Sequence, residues 1–112
     1  MRGNAFVPIS LLDTLRVWPE RQTEITVYIF GSWLRDSLSA RDVDVLLVYP
    51  DDNLDAAHAL AKTIRDLPAK ETYDVLALSA AEERELSFVA CERAIQVWPA
   101  ISYSDRAFTG RS

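Results

Sequence analysis

Three aspartates carry the most specific chemical signal in this chain. Asp42 and Asp44 stand two residues apart in the run Asp-Val-Asp-Val-Leu-Leu-Val-Tyr, and Asp74 opens a shorter run of the same kind, Asp-Val-Leu. The first run has the apolar, β-branched composition of a strand, where side chains two apart project from one face. Asp42 and Asp44 are therefore expected to hold their carboxylates side by side. Charges so placed repel and raise each other's pKa. A divalent cation removes that conflict, and an oxygen-only donor set suits Mg²⁺ or Mn²⁺ rather than zinc. If the strand carrying Asp74 lies beside the first, Asp74 sits level with Asp44 and completes a set of three. Three carboxylates and two metal ions serve an in-line phosphoryl displacement: one ion activates the attacking oxygen, the other steadies the triphosphate and the leaving pyrophosphate. The plainer reading makes Asp42 a strand-entry residue and Asp44 part of a wet face. It leaves unexplained why a residue type depleted in strands interrupts an apolar run.

A second feature lies upstream. Gly31-Ser32 directly follows the run Glu24 to Phe30 (EITVYIF), which reads as a strand, and precedes a helix-like stretch, Trp33 to Leu38. Glycine lets the backbone turn sharply and approach a ligand. Free N–H groups at a helix start attract anions, and the Ser32 hydroxyl adds a donor for a phosphate. Arg35, one turn on, is placed to reach the same group. The plainer alternative is a strand-to-helix turn with Ser as N-cap. Neither a Walker A loop nor a G-x-G-x-x-G fingerprint is present, so P-loop and dinucleotide-binding readings fail.

These residues need a scaffold, and the remaining pattern supplies one. Ile9 to Val17 reads as a short helix with Leu11, Leu12 and Leu15 on one stripe. Asp42 to Tyr49 is a strand stopped by Pro50. Asn53 is placed to cap a helix over Leu54 to Leu67, with Ala57, Leu60, Ala61 and Ile64 on its apolar face. Thr72 to Leu78 is a third strand. Ser79-x-x-Glu82 is a capping-box pattern opening a helix from Ala80 to about Arg93. Ala94 to Trp98 alternates as a final short strand. The expected fold class is α/β (α+β), a small mixed sheet with helices packed against it. It is expected as one domain over residues 1–112, with a core at about 9–98 and a polar tail at 99–112.

Composition agrees. The chain has 112 residues, 49% hydrophobic and 26% charged, with a net charge of −5. An acidic protein repels a phosphate backbone, so no extended nucleic-acid footprint is expected, although a local metal site can reverse the sign for a single nucleotide. The longest apolar run, Val45 to Tyr49, is too short for a membrane span, and Met1 to Pro8 holds no apolar block of a secretory leader. One cysteine, Cys91, permits no internal disulfide. A cytoplasmic location is the expectation.

Phe30-Gly31-Ser32, nine intervening residues, then Asp42-Val43-Asp44-Val45-Leu46, resemble the signature of the DNA polymerase β-like nucleotidyltransferase superfamily. The resemblance is closest to its minimal nucleotidyltransferase domains. It implies that Gly31 and Ser32 hold the triphosphate of a nucleotide, ATP by expectation. Asp42 and Asp44 would ligate two Mg²⁺ ions (or Mn²⁺), and Asp74 would serve as the third carboxylate, positioning one metal and assisting deprotonation of the acceptor. Arg35 falls where the family often has a basic residue. Trp33 stands where an arginine is common, Asp36 where a glycine is common, and Arg41 where serine or threonine is usual. Arg41 would then supply the charge missing at position 33, or pair with Asp36. The activity implied is transfer of AMP to an acceptor. Such domains often accompany a HEPN-type toxin, so an antitoxin role is implied, with the partner protein as acceptor. Two alternatives stand beside it: a non-catalytic antitoxin that works by occlusion, and a small-molecule nucleotidyltransferase of the aminoglycoside type. Association with itself or with a partner chain fits each.

Other residues have structural readings. His58, the only histidine, reads as a surface or half-buried helix residue. Cys91 reads as a small core residue. Trp18, Trp33 and Trp98 read as core or interface aromatics, with Trp33 the one placed to stack on a base. Asp13, Asp36, Asp51, Asp52, Asp55 and Asp66 read as turns, caps and solvated faces, and Glu82 to Glu85 as a solvated first helical turn.

Overall fold

A computed structural model describes residues 7–18, 24–36 and 42–99. The elements are α1 (Ile9–Val17), β1 (Thr26–Phe30), α2 (Ser32–Arg35), β2 (Asp42–Tyr49), α3 (Leu54–Arg65), β3 (Thr72–Ser79), α4 (Ala80–Leu86), α5 (Phe88–Glu92) and β4 (Ile95–Trp98). The polar stretch 100–112, the lead-in 1–6 and the segments 19–23 and 37–41 lie outside the described residues.

The four strands form one mixed sheet in the order β3-β2-β1-β4. β1 is antiparallel to both neighbours, and β2 is parallel to β3. The parallel pair requires a crossover, and α3 provides it as the helix of a β-α-β unit. The mixed α/β sheet expected from the sequence is therefore present.

Each strand alternates between two faces. Val27, Ile29, Val43, Val45, Leu47 and Tyr73 turn toward α1 and α3, whose Leu11, Leu15, Ala57, Leu60, Ala61 and Ile64 complete one buried cluster. The four α3 positions expected to line its apolar face are all buried. Where α1 meets the sheet, Ser10 Oγ and Tyr73 Oη are 3.0 Å apart.

The sequence reading needs correction in four places. Asn53 occupies the N-cap position of α3 but makes no side-chain cap bond, and the helix stops at Arg65, short of Leu67. α2 is a single turn of four residues with Gly31, not Ser32, at its N-cap. The helix expected from Ala80 to Arg93 is two helices, broken at Ser87, whose φ of 50° is left-handed. The Val89 N–H, which a continuous helix would satisfy through residue 85, is instead donated to Glu83 Oε2 at 2.9 Å. Finally, Cys91 is exposed. The break leaves α5 only five residues, with Phe88 rather than Cys91 half-buried.

The capping box at the start of α4 forms in full: Ser79 Oγ accepts from Glu82 N–H at 3.1 Å, and Glu82 Oε1 accepts from Ser79 N–H at 2.8 Å. Asp51 Oδ1 accepts from Ala81 N–H at 3.0 Å, so this aspartate is a cap, as the plain reading had it. α5 ends in a Schellman arrangement, Ala94 N–H to Val89 O at 3.0 Å and Arg93 N–H to Ala90 O at 3.3 Å, with Arg93 left-handed.

Candidate functional site

The face of the sheet opposite α1 and α3 carries the candidate site. Asp44 is the register partner of Asp74 on β3 and of Phe30 on β1. Partners in register share a face, on strands about 4.8 Å apart. Asp42 lies two residues before Asp44 on that face and pairs in register with Thr72. The sheet thus brings the three sequence-identified carboxylates to one face, near the start of β2 and β3. Asp42 and Asp74 are exposed and Asp44 is half-buried.

The Gly31 turn meets the same place. Phe30 ends β1 beside Asp44, so the chain turns at Gly31 directly over the Asp44 side chain. A Cβ built on Gly31 would collide with the Asp44 carboxylate, its Cγ only 3.2 Å away. Gly31 also has φ 83°, a conformation that side chains rarely adopt. Two independent constraints therefore call for glycine here. The single turn of α2 is closed by Leu34 N–H to Gly31 O at 3.1 Å and Asp36 N–H to Ser32 O at 2.9 Å.

Electrostatics tie the group together. Burial pushes the Asp44 carboxyl above its ordinary range. The charges of Asp74 and then Asp42 push the same way, the Arg35 guanidinium pulls it back, and Glu92 adds a further push. Arg35, exposed at the end of α2, is thus close enough to act on Asp44, as is Glu92 on α5. Glu92 was not singled out by the sequence. It reaches this region because the chain breaks at Ser87, and a glutamate in an apparently continuous helix gives no sign of that.

The donor chemistry fits a hard divalent cation: oxygen atoms only, on carboxylates whose mutual repulsion a cation would relieve, with a glycine cradle against one of them. Among the described residues, no three His, Cys, Asp or Glu side chains are drawn together into a metal-holding group. The three aspartates share a face, with Asp44 and Asp74 at one level and Asp42 two residues nearer the start of β2.

Arg41, the fourth residue expected to bind a nucleotide, lies outside the described residues. Trp33 is half-buried and packs against the main core, together with Trp18, Leu34 and Trp98. His58 is exposed on α3.

On the acidic face, α4 and α5 lie beside the aspartates. The Phe88 ring meets Phe30 edge-on, with centroids 5.0 Å apart and planes at 86°. Tyr28, two residues before Phe30, has its hydroxyl pushed above the usual tyrosine range by burial and then by the Glu83 charge. Leu46, fully buried, and Leu78, nearly so, occupy this face beyond the aspartates.

Among the described residues, no helix is long and apolar enough to cross a membrane. Comparison with known proteins leaves the site to speak for itself: no protein family, no curated protein and no solved structure matches the chain.

Proposed function

We propose that this protein is a Mg²⁺-dependent nucleotidyltransferase that moves a nucleoside monophosphate, AMP from ATP in the first instance, onto an acceptor. The observation that carries the reading is the meeting of Gly31 with Asp44 across from Asp74, which puts a glycine turn against a pair of carboxylates. The resemblance of Phe30-Gly31-Ser32 and Asp42-Val43-Asp44 to the polymerase β-like signature supports it. The chain's acidity is no obstacle, because Arg35 stands at the aspartates to meet an anion.

In this reading the Gly31 turn holds its backbone against the Asp44 carboxylate, and Ser32 and Arg35 bind the triphosphate beside it. Asp42, Asp44 and Asp74 would hold two divalent ions, whose chemistry is to neutralise the developing charge and lower the pKa of the attacking hydroxyl. The acceptor oxygen forms a bond to the α-phosphorus. The bond from that phosphorus to the β-bridging oxygen breaks, and pyrophosphate leaves with the electron pair. Asp74, the exposed carboxylate on the edge strand, takes the acceptor proton and passes it to water. The acceptor in this reading is a hydroxyl on a partner protein, the HEPN-type toxin that the resemblance implies.

A second reading, a binding module acting by occlusion, draws on the large apolar side chains left in water, Val17 at 82% exposed and Leu86 at 58%. One experiment separates the two. The protein is incubated with each nucleoside triphosphate and Mg²⁺, with and without a co-encoded partner, and pyrophosphate release and intact masses are recorded. The expected result is pyrophosphate together with a nucleotide monophosphate added to the partner or to the protein, both lost in the Asp42→Asn/Asp44→Asn variant. Partner binding with no pyrophosphate from any nucleotide would overturn catalysis in favour of occlusion.

A further inference from the structure

The break between α4 and α5 has no evident purpose in the fold. Ser87 accepts a left-handed φ of 50° without being glycine, which is locally unfavourable. A continuous helix would leave the Val89 N–H satisfied by the backbone, whereas here a half-buried carboxylate, Glu83, is spent on it at 2.9 Å. What the break achieves is visible one residue on. It turns Phe88 inward, where its ring meets the Phe30 ring edge-on at 5.0 Å. Phe30 is no ordinary strand residue. It is the register partner of Asp44, and the next residue is Gly31, whose backbone lies against the Asp44 carboxylate.

We infer that Glu83 and Phe88 form a positioning latch for the nucleotide turn, Glu83 holding the α4–α5 break and Phe88 bracing Phe30 so that Gly31 and Asp44 keep their registration. The inference rests on the nucleotide-binding reading of that turn. It assigns no contact with substrate to either residue. A turn closed by two backbone bonds, Leu34 N–H to Gly31 O and Asp36 N–H to Ser32 O, is a weak local structure that needs outside support. α1 and α3 brace the opposite face of the sheet. On the face that the turn overhangs, the Phe30–Phe88 contact is the ring pair at its base. The latch is joined to the rest of the fold at its far end by the capping box and by Asp51 on Ala81 N–H, so a displacement of α4 would be felt at Phe30.

The test has two readouts, hydrogen exchange at the Leu34 and Asp36 amides by NMR, and Mg²⁺·ATP affinity by calorimetry. The variants are Phe88→Ala and Glu83→Ala, with Tyr73→Phe as a control that loses the Ser10 contact on the opposite face. The latch predicts that both latch variants exchange roughly ten-fold faster at Leu34 and Asp36, the factor that about 1.4 kcal/mol of lost support gives. It also predicts that Mg²⁺·ATP binds several-fold more weakly to both, while Tyr73→Phe leaves both readouts unchanged at its own stability. Phe88→Tyr, which keeps the ring, should restore them. Unchanged exchange at Leu34 and Asp36 in Phe88→Ala overturns the latch whatever the protein's function. Equal acceleration in Tyr73→Phe also overturns it, since the effect would then follow global stability. Faster exchange in a protein that shows no Mg²⁺·ATP binding even as wild type overturns the nucleotide reading and the positioning role with it. If Phe88→Ala does not fold, Phe88→Leu, which keeps most of the burial and loses the ring edge, replaces it.

Discussion

The two faces of β2 are built to opposite rules. Val43, Val45, Leu47 and Tyr49 turn toward α1 and α3 and are buried in one continuous cluster. Asp42, Asp44, Leu46 and Val48 turn the other way, and their surroundings change along the strand: Asp42 is exposed, Asp44 half-buried, Leu46 fully buried. The first face serves stability throughout. The second serves it only at the far end of the strand, beyond the aspartates. Because strand side chains alternate with a period of two, the same eight residues anchor the core and present the carboxylates, and a change on one face need not disturb the other. A site on a central strand is held more rigidly than one on a loop.

Truncation on the packed face is expected to give the largest effect and to test the contrast most severely. Leu47→Ala removes a fully buried side chain from the main cluster and should cost about 2–5 kcal/mol. Leu46→Ala, its neighbour on the opposite face and equally buried, should cost less, because short α4 can settle into the space whereas α1 and α3 are fixed around their cluster. Urea denaturation of both variants checks the order, and equal losses would mean that the second face is as firmly packed as the first.

A smaller and more local effect is expected at the junction of turn and strand. Gly31→Ala meets both a left-handed φ and the Asp44 carboxylate, and should cost about 1–3 kcal/mol. Adding Asp44→Ala clears the collision and leaves the backbone strain, so the double variant should be more stable than the sum of the two single effects predicts. Strict additivity in a thermal-melting cycle would show that the turn and Asp44 are not in contact in solution.

Much of this arrangement is legible in the sequence, for identifiable reasons. Ile9–Val17 and Asp42–Tyr49 have the bounds that periodicity and Pro50 imply. The level placement of Asp44 and Asp74 is readable because both open apolar strand runs joined by one helix of ordinary length, which is what a parallel pair needs. The capping box was readable because its two partners are local. The break at Ser87 was not, because nothing in Glu85-Leu86-Ser87-Phe88 disfavours a helix. It is set by the Glu83 bond to Val89 N–H and by the Phe30 ring, neither of which a local pattern encodes. Misreading it also hid Glu92 and put Cys91 in the core. Asn53 shows the converse: the right residue in the cap position without the expected bond.

The smallest expected effect has the opposite sign, and for that reason says most about the acidic face. With no cation bound, ionised Asp44 is destabilising: burial and the charges of Asp74, Asp42 and Glu92 all oppose its charge, and only Arg35 favours it. A carboxyl whose pKa is higher in the folded than in the unfolded chain binds its proton more tightly when folded. The unfolded chain releases that proton near pH 4, the folded chain at higher pH. The penalty is therefore absent below about pH 4, grows as pH rises through the raised value, and is complete above it. Asp44→Asn keeps the shape and removes the charge. It should raise Tm at neutral pH, with the gain shrinking to nothing below about pH 4. Excess Mg²⁺ should narrow the gap by stabilising the wild type alone. The equivalent substitution at Asp13, an exposed aspartate of α1 paired with Arg16 at 3.4 Å, should show neither the gain nor the Mg²⁺ dependence. A stabilising Asp44→Asn that also abolishes nucleotide transfer would show stability given up to keep a charge where the chemistry needs it. A destabilising one would mean that Asp44 is held in place by bonds to its carboxylate, as a structural residue of the same kind as Asp51.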